Sequence, residues 1–154
     1  MIFLLSAGYL KACLQWNAYF EMGKPVIRSM GKKHSRRFLA TVEQSRAAIQ
    51  ECDINEFSSM LNDGEDIVVI DVREQHEYDA GCFKGALHLS KGVIERDIEK
   101  HPITEDARIV LYCGGGFRSA IAAESLTRMG FSNVYSLWGG WRSLVAAGLA
   151  SPNQ

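Results

Sequence analysis

Four short apolar runs recur along the chain from residue 67 onward, and they constrain its fold more than any other feature. They lie at 67–70, 86–89, 109–112 and 134–137, and the first and third read Ile-Val-Val-Ile and Ile-Val-Leu-Tyr without a polar interruption. Continuous apolar runs of this length are typical of strands that are buried on both faces of a parallel sheet. Segments with helical character alternate with them, so we predict an α/β fold with a parallel sheet of about five strands and helices on both faces.

The helical segments carry their own start and stop signals. We predict helices over 38–50, 53–61, 74–80, 92–100, 118–129 and 141–147. Asp53 and Glu56 form the D-x-x-E pattern of a capping box, which predicts the start of the second helix. Gly130 stands just after the fifth helix, where a residue in the left-handed conformation commonly ends a helix.

The N-terminal part of the chain differs in character from the rest. Residues 1–37 begin with an apolar stretch and hold seven Lys/Arg against one Glu, whereas residues 38–154 hold ten Lys/Arg against seventeen Asp/Glu. The 154-residue length fits one domain with a tail. We therefore divide the chain into an N-terminal extension over 1–37 and a domain over 38–150. The acidic charge of the domain argues against nucleic acid as its partner.

Three interpretations of the apolar residues 1–22 stay open. A signal peptide is disfavoured because its positive charge should precede the apolar run, and here the basic residues follow it. A membrane helix has about the right length, but a lysine near its middle, Lys11, would cost roughly 2.5–3.5 kcal/mol on insertion scales. We favour a dispensable extension, with Met22 or Met30 as the natural start, and do not expect membrane attachment.

The cysteine pattern bears on the cellular compartment. The four cysteines are Cys13, Cys52, Cys82 and Cys113, and no two of them form a C-x-x-C pair. They are too few for a disulfide scaffold and are not spaced as a zinc site. We therefore expect reduced thiols in a cytoplasmic protein, with no metal and no cofactor.

The candidate reactive residues lie together where the third apolar run ends. The run is followed by a cysteine, three glycines and the start of a helix: Cys113, Gly114, Gly115, Gly116, Phe117, Arg118 and Ser119. The unpaired N–H groups and the positive dipole end of that helix should lie beside the cysteine. Glycines leave no side chains in the way, so backbone N–H groups can surround the Cys113 sulfur and favour its thiolate, with Arg118 adding positive charge. Taken alone, this stretch is also compatible with a phosphate-binding turn or a buried core cysteine.

Four motifs follow one another along residues 50–150. They are Ile70-Asp71-Val72-Arg73-Glu74 with Glu77-Tyr78, Gly81 to Ala86, Cys113 to Arg118 with Ser119, and Leu137 to Trp141 with Ala147-Gly148. In this order they resemble the signature of the rhodanese family. Cys82 and Leu144 depart from the family pattern, in which a histidine and a tryptophan are usual at these positions. Because Cys82 precedes its strand, we expect it at the amino-terminal end of the sheet, away from Cys113.

The resemblance implies a rhodanese-like three-layer fold and sulfur transfer in two steps. The Cys113 thiolate takes the outer sulfur of a donor such as thiosulfate and becomes a persulfide, from which cyanide or a thiol then removes that sulfur. Cys113 and Arg118 are the implied catalytic residues, and residues 114–117 with Ser119 complete the active loop. The remaining candidates are Asp71 and Arg73, as an ion pair that braces the loop, and Lys91 and Arg96, for recognising an anionic donor.

Two alternatives concern the chemistry of this loop. Phosphatases of similar architecture have five residues between cysteine and arginine, and the four between Cys113 and Arg118 favour sulfur transfer. The second alternative is a persulfide-carrying or partner-binding module that hands sulfur only to a specific acceptor protein. It stays open because positions 114–117 hold no Lys or Arg that would bind thiosulfate.

Overall fold

In the computed structural model, which describes residues 34–64 and 66–152, five strands form one parallel sheet. The strands are β1 (Gln50–Cys52), β2 (Ile67–Asp71), β3 (Leu87–His88), β4 (Arg108–Tyr112) and β5 (Val134–Leu137). Their order across the sheet is β1-β5-β4-β2-β3, and every neighbouring pair is parallel. This confirms the predicted α/β class and places β4 in the centre of the sheet.

Helices cover both faces of the sheet. They are α1 (Arg36–Arg46), α2 (Ile54–Asn62), α3 (Gln75–Asp79), α4 (Ile94–Asp97), α5 (Phe117–Met129) and α6 (Gly140–Ala146), with a 3₁₀ turn over Ile98–Lys100. Buried residues of α4, the 3₁₀ turn and α5 pack on one face, and those of α2 and α6 pack on the other. The layers are therefore helix, sheet, helix.

The alternation of side chains along β4 decides which face receives the cysteine. Ile109, Leu111 and Cys113 belong to the apolar cluster on the α5 face, whereas Val110 and Tyr112 belong to the cluster on the α6 face. Successive residues of a strand point to opposite faces. The sulfur of Cys113 therefore faces the start of α5, the helix that follows it in the chain.

The capping box predicted at residue 53 is confirmed. The Asp53 carboxylate accepts hydrogen bonds from the N–H groups of Asn55 and Glu56 at 2.8 and 2.9 Å. In return, the Glu56 carboxylate accepts one from the N–H of Asp53 at 2.8 Å. Three N–H groups at the start of α2 thus gain partners that the helix itself cannot provide.

Several predicted boundaries differ from the structure. The helix predicted over 38–50 begins at Arg36 and ends at Arg46, and β1 begins at Gln50, the last residue of the predicted range. This strand was missed because it is a three-residue edge strand, paired only with β5, and its Gln-Glu-Cys sequence lacks an apolar run. The strand predicted over 86–89 is reduced to its two central residues, and the helix predicted over 92–100 is split into α4 and the 3₁₀ turn.

The N-terminal extension lies mostly outside the described residues. The predictions for residues 1–33, including a membrane helix, therefore stay predictions, as does the division at residue 38. Ser35, just before α1, accepts a hydrogen bond from Phe38 N–H at 3.3 Å and caps that helix. Within 34–64 and 66–152, no helix is both long and apolar enough to cross a membrane.

Candidate active site

Cys113 lies directly after the central strand β4, at the carboxyl edge of the sheet, where ligands bind in open parallel sheets. Its sulfur accepts a hydrogen bond from Gly116 N–H at 3.2 Å, and the Ser119 hydroxyl lies 3.7 Å from it. Both donors come from the loop and the first turn of α5. The residue is only 1% exposed.

Two glycines bring the backbone of the β5–α6 turn against the loop. Gly116 has φ +89°, and a Cβ there would lie 3.1 Å from the carbonyl oxygen of Leu137. Gly140 has φ +52°, and a Cβ there would overlap the carbonyl oxygen of Cys113. Next to it, Trp141 N–H donates a 2.6 Å hydrogen bond to that same oxygen. The turn after β5 therefore packs closely against the backbone of the loop and supports it.

Arg118 is held beside the loop by carboxylates of α3 and its cap. Its Nη1 and Nη2 donate to the two carboxylate oxygens of Glu77 at 2.6 and 3.0 Å, and Glu74 lies 3.6 Å away. These hydrogen bonds from Arg118 hold the pKa of Glu77 at about 2. The same hydrogen bonds raise the pKa of Arg118. The guanidinium lies against the loop, because a Cβ on Gly114 would be 3.5 Å from Arg118 Nη2.

Asp71 and Arg73 form a buried ion pair at the end of β2. The guanidinium donates from Nε to the Asp71 carboxylate at 3.0 Å and from Nη2 at 2.7 Å, and Nη2 also donates to the carbonyl of Gly81 at 2.6 Å. Burial opposes the charge of Arg73, but the hydrogen bonds and charge of Asp71 outweigh it and raise the pKa of Arg73. The guanidinium lies 4.3 Å from the centre of the Trp141 ring. The pair thus contacts the residue whose N–H holds the Cys113 carbonyl.

Lys91 and Arg96, the two candidates for recognising an anionic donor, differ in their positions and partners. Lys91 follows β3, and its N–H donates to the carbonyl of Val72 at 3.0 Å, so its backbone is fixed at the carboxyl edge of the sheet. Arg96 is on α4, and its guanidinium donates to both carboxylate oxygens of the adjacent Asp97 at 2.8 and 2.7 Å. Its side chain is 70% exposed. The guanidinium of Arg96 is thus paired within its own helix.

Aromatic and cationic side chains surround Phe117, the last residue before Arg118. The centre of the Phe117 ring lies 4.7 Å from that of His34, which precedes α1, and 6.3 Å from that of Phe38, in the first turn of α1. Arg46, at the other end of α1, places its guanidinium 5.3 Å from the Phe117 ring and 4.3 Å from that of Trp138. Helix α1 therefore packs directly against the active loop.

Sequence reasoning missed a buried hydroxyl pair behind the cysteine. Ser136, in β5, lies 2.9 Å from the Ser119 hydroxyl, and both residues are fully buried. Ser136 is the polar member of the apolar run at 134–137, and that interruption was the available signal. Glu77 was also missed as a partner of Arg118, because the two are 41 residues apart.

A second buried thiol, Cys52, lies in the core beneath the other face of the sheet. Cys52, Cys82 and Cys113 are all free, and burial together with the charges of Glu56 and Asp53 raises the pKa of Cys52 to about 12. In the described ranges, no group of three or more His, Cys, Asp or Glu side chains could hold a metal ion. Cys52 is therefore a core residue with a poorly ionised thiol.

The expected position of Cys82 at the amino-terminal end of the sheet is wrong. The carbonyl of Gly81 bonds to Arg73, and the N–H of Phe83 donates to the Tyr112 hydroxyl at 3.1 Å. Arg73 and Tyr112 lie at the carboxyl ends of β2 and β4, so Cys82 lies near the carboxyl half of the sheet. The reason is that β3 pairs only with the last two residues of β2, so the segment preceding β3 enters at that level.

Cys113 follows the central strand of a parallel sheet that is packed between helices, and it begins a glycine-rich loop. This arrangement defines a class of protein. The model of the rhodanese-like domain matches residues 53–147. The chain therefore belongs to the rhodanese-like family.

Similar proteins show that this domain occurs in several settings. The tRNA uridine(34) hydroxylase of Acinetobacter baumannii (strain AYE) is 34% identical over 83 residues, which are 49% of this chain and 26% of that protein. The thiosulfate sulfurtransferase GlpE of Coxiella burnetii is 37% identical over 81 residues, which are 53% of this chain and 74% of that protein. The chain thus spans about a quarter of the hydroxylase and about three quarters of GlpE.

The fold also matches a solved structure over most of its length. A protein of unknown function from Rhodopseudomonas palustris CGA009, described as a possible tyrosine phosphatase, superposes with a TM-score of 0.64 at 25% identity. The match covers 78% of this chain and 97% of that one.

Proposed function

We propose that this protein is a sulfurtransferase that carries a sulfane sulfur on Cys113. The observation that carries the proposal is the hydrogen bond from Gly116 N–H to the Cys113 sulfur at 3.2 Å, made where α5 begins. A backbone donor and the positive end of a helix both stabilise a negative charge on sulfur. The resting thiolate and the persulfide anion gain from the same arrangement.

The reaction has two balanced steps. The Cys113 thiolate attacks the outer sulfur of a donor such as thiosulfate, a new S–S bond forms, and the donor's S–S bond breaks. Sulfite leaves with the bonding electron pair, and Cys113 holds a persulfide. Cyanide or a thiolate then attacks the outer sulfur, and the electron pair of the Cys113 S–S bond returns to regenerate the thiolate. Because the cysteine is modified and regenerated in separate steps, the kinetics should be ping-pong.

The surrounding residues have distinct roles in this proposal. Gly114 to Gly116 place no side chains in the loop that follows Cys113. Ser119 is a second donor to the sulfur, and Arg118, fixed by Glu77, supplies positive charge at the loop. Asp71 and Arg73 act through Trp141 as a structural brace and do not touch the reacting atom. Free thiols at all three described cysteines suit a reducing compartment, and we place the protein in the cytoplasm.

Two other functions use the same residues. A carrier that exchanges sulfur only with a partner protein is favoured by the 1% exposure of Cys113, since a partner could open the loop. A phosphatase is suggested by the description of the Rhodopseudomonas palustris protein. Against the phosphatase, only four residues separate Cys113 from Arg118, and a tight loop suits one sulfur atom better than a tetrahedral phosphate.

One set of assays separates these functions. Thiosulfate:cyanide turnover and persulfide labelling should both be positive for the parent protein and both be lost in Cys113→Ser. Cys82→Ser is the matched control, because Cys82 is a free thiol that no described contact joins to the loop, and it should keep both activities. Labelling without turnover would establish the carrier instead. Hydrolysis of p-nitrophenyl phosphate without labelling would refute sulfur transfer.

A further inference from the structure

Helix α1 contacts the active loop although it precedes the residues that match the family model. That match covers residues 53–147, whereas α1 spans Arg36–Arg46. Within α1, Val42 is fully buried, and the Ser45 hydroxyl donates a 2.7 Å hydrogen bond to the carboxylate of Glu124 in α5. Helix α1 is therefore held on α5, the helix that begins at the active loop.

Arg46, the last residue of α1, lies between the loop and the turn that supports it. Its guanidinium is 5.3 Å from the centre of the Phe117 ring and 4.3 Å from that of Trp138. At such distances a cation is attracted to an aromatic ring. Phe117 is the first residue of α5, and Trp138 directly follows β5. One side chain thus connects the active loop with the turn after β5.

The guanidinium of Arg46 is also held by two carboxylates. Nη1 donates to Glu43, one turn earlier in α1, at 3.0 Å, and Nε donates to Glu51 of β1 at 3.2 Å. The side chain is only 9% exposed. Hydrogen bonds to two carboxylates and contacts with two rings leave this buried group little freedom to move. Arg46 therefore joins α1, β1, the loop and the turn at one fixed point.

Gly116, which donates to the sulfur, lies between the two rings that Arg46 contacts. Its N–H donates to the Cys113 sulfur at 3.2 Å. Gly116 directly precedes Phe117 in the chain, and a Cβ built on it would lie only 3.6 Å from the Cα of Trp138. A displacement of either ring would therefore turn the Gly116 N–H. Hydrogen bonds weaken steeply as the donor turns away from the acceptor.

We propose that Arg46 is a positioning residue, which fixes the Gly116 N–H on the Cys113 sulfur by joining the rings on either side of it. The inference rests on the sulfurtransferase function proposed above, because it gives α1 a part in preparing the thiolate for reaction. A hydrogen bond to a charged acceptor is stronger than one to a neutral acceptor. Poorer alignment of this donor should therefore lower the fraction of thiolate at a given pH.

The pH dependence of alkylation by iodoacetamide, followed at Cys113 by peptide mapping, tests the inference because the thiolate is the reactive form. In Arg46→Met the midpoint of the rate profile should rise by about 0.5–1 pH unit, as expected when one hydrogen bond to a charged group is weakened. The rate on the high-pH plateau should stay near that of the parent. Arg46→Lys keeps a cation beside the rings and should recover most of the shift.

Trp138→Leu separates positioning from the direct effect of the Arg46 charge. It changes a side chain that is 41% exposed, and it removes one ring without removing a charge. The charged groups beside the loop, Arg118 with Glu77 and Arg142, are unchanged in each variant. The midpoint should rise in Trp138→Leu as it does in Arg46→Met, and the double variant should show little further rise, because both changes break the same connection.

Ser45→Ala is the matched control on the same helix. The hydroxyl of Ser45, next to Arg46 in the chain, bonds to Glu124 of α5 and to the Thr41 carbonyl of α1 itself. Its loss should lower the free energy of unfolding, measured with urea, without moving the midpoint. A purely structural role of α1 would instead lower the stability of Arg46→Met and leave its midpoint at the parent value.

The outcomes distinguish this inference from the proposed function. A midpoint that is unchanged in Arg46→Met, or that rises equally in Ser45→Ala, overturns the inference. A rise in Arg46→Met without one in Trp138→Leu also overturns it, since the charge of Arg46 would then act directly. If Arg46→Met does not fold, the midpoint of Trp138→Leu decides. If thiosulfate fails to label the parent protein while the midpoints rise as expected, the role of Arg46 stands and the proposed function fails.

Discussion

The replacement of Gly140 by alanine should be among the most damaging small changes in this protein. Gly140 has φ +52°, a left-handed conformation that costs a residue with a Cβ about 1–2 kcal/mol. In addition, the new Cβ would overlap the Cys113 carbonyl oxygen and lie 3.0 Å from its carbon and 3.1 Å from Gly115 N. All three neighbours are backbone atoms, so no side chain can rotate away.

The loss of stability in Gly140→Ala can be worked out from the movement of α6 that the new Cβ requires. Relieving the overlap requires α6 to shift away from the loop, which adds about 1–3 kcal/mol of overpacking strain. The shift also weakens the 2.6 Å hydrogen bond from Trp141 N–H to the Cys113 carbonyl, a loss of about 1 kcal/mol. We expect Gly140→Ala to lower the free energy of unfolding by about 3–6 kcal/mol in total.

Gly148→Ala isolates the conformational part of this effect. Gly148 has φ +70°, close to that of Gly140, but nothing lies within 4 Å of a Cβ built on it. Its replacement should therefore lower the free energy of unfolding by only about 1–2 kcal/mol. Urea unfolding with a shared slope measures both variants, and persulfide labelling of Cys113 in the folded fraction reports the loop. If the two variants are equally stable, or if Gly140→Ala labels normally, the turn after β5 does not support the loop.

Two further predictions concern side chains that sequence reasoning missed. Glu77→Gln should lower the free energy of unfolding at pH 7 by about 1–2 kcal/mol after allowance for its partial exposure. Because bonding to Arg118 holds the pKa of Glu77 at about 2, below its ordinary 4.5, this stabilisation is complete above pH 4.5 and is lost as the pH falls towards 2. Urea unfolding at a series of pH values should show the two proteins converging over that interval, and a constant difference would contradict the assignment. Ser136→Ala removes the buried partner of Ser119 and should slow iodoacetamide alkylation of Cys113 by about fivefold, which corresponds to one hydrogen bond of about 1 kcal/mol. Peptide mapping after limited alkylation measures this rate, and an unchanged rate would show that the hydroxyl pair does not act on the sulfur.

The central part of the fold could be predicted because its strands are buried on both faces. The runs at 67–70 and 109–112 are continuous and apolar, and they correspond to β2 and β4. An edge strand is under no such constraint, since one side of it is unpaired. For that reason the polar segment Gln50–Cys52 could not be recognised as a strand.

The proposed reactive residue could also be found in the sequence, but its partners could not. Cys113, the glycines and Arg118 are adjacent in the chain, so their joint pattern is visible. Glu77 and Ser136 meet the loop through tertiary packing, at separations of 41 and 17 residues from their partners. Such contacts are set by how the elements pack, and a single sequence does not contain that distance information.

The parallel pairing of β1 with β5 has a consequence for the order in which the protein can fold during synthesis. The described strand nearest the start of the chain, Gln50–Cys52, pairs with the last, Val134–Leu137. The turn Gly139 to Trp141, which packs against the active loop, comes later still in the chain. A ribosome must therefore expose almost the whole domain before the Cys113 loop gains its support. A nascent or prematurely ended chain would therefore contain Cys113 without the turn that supports its loop in the completed domain.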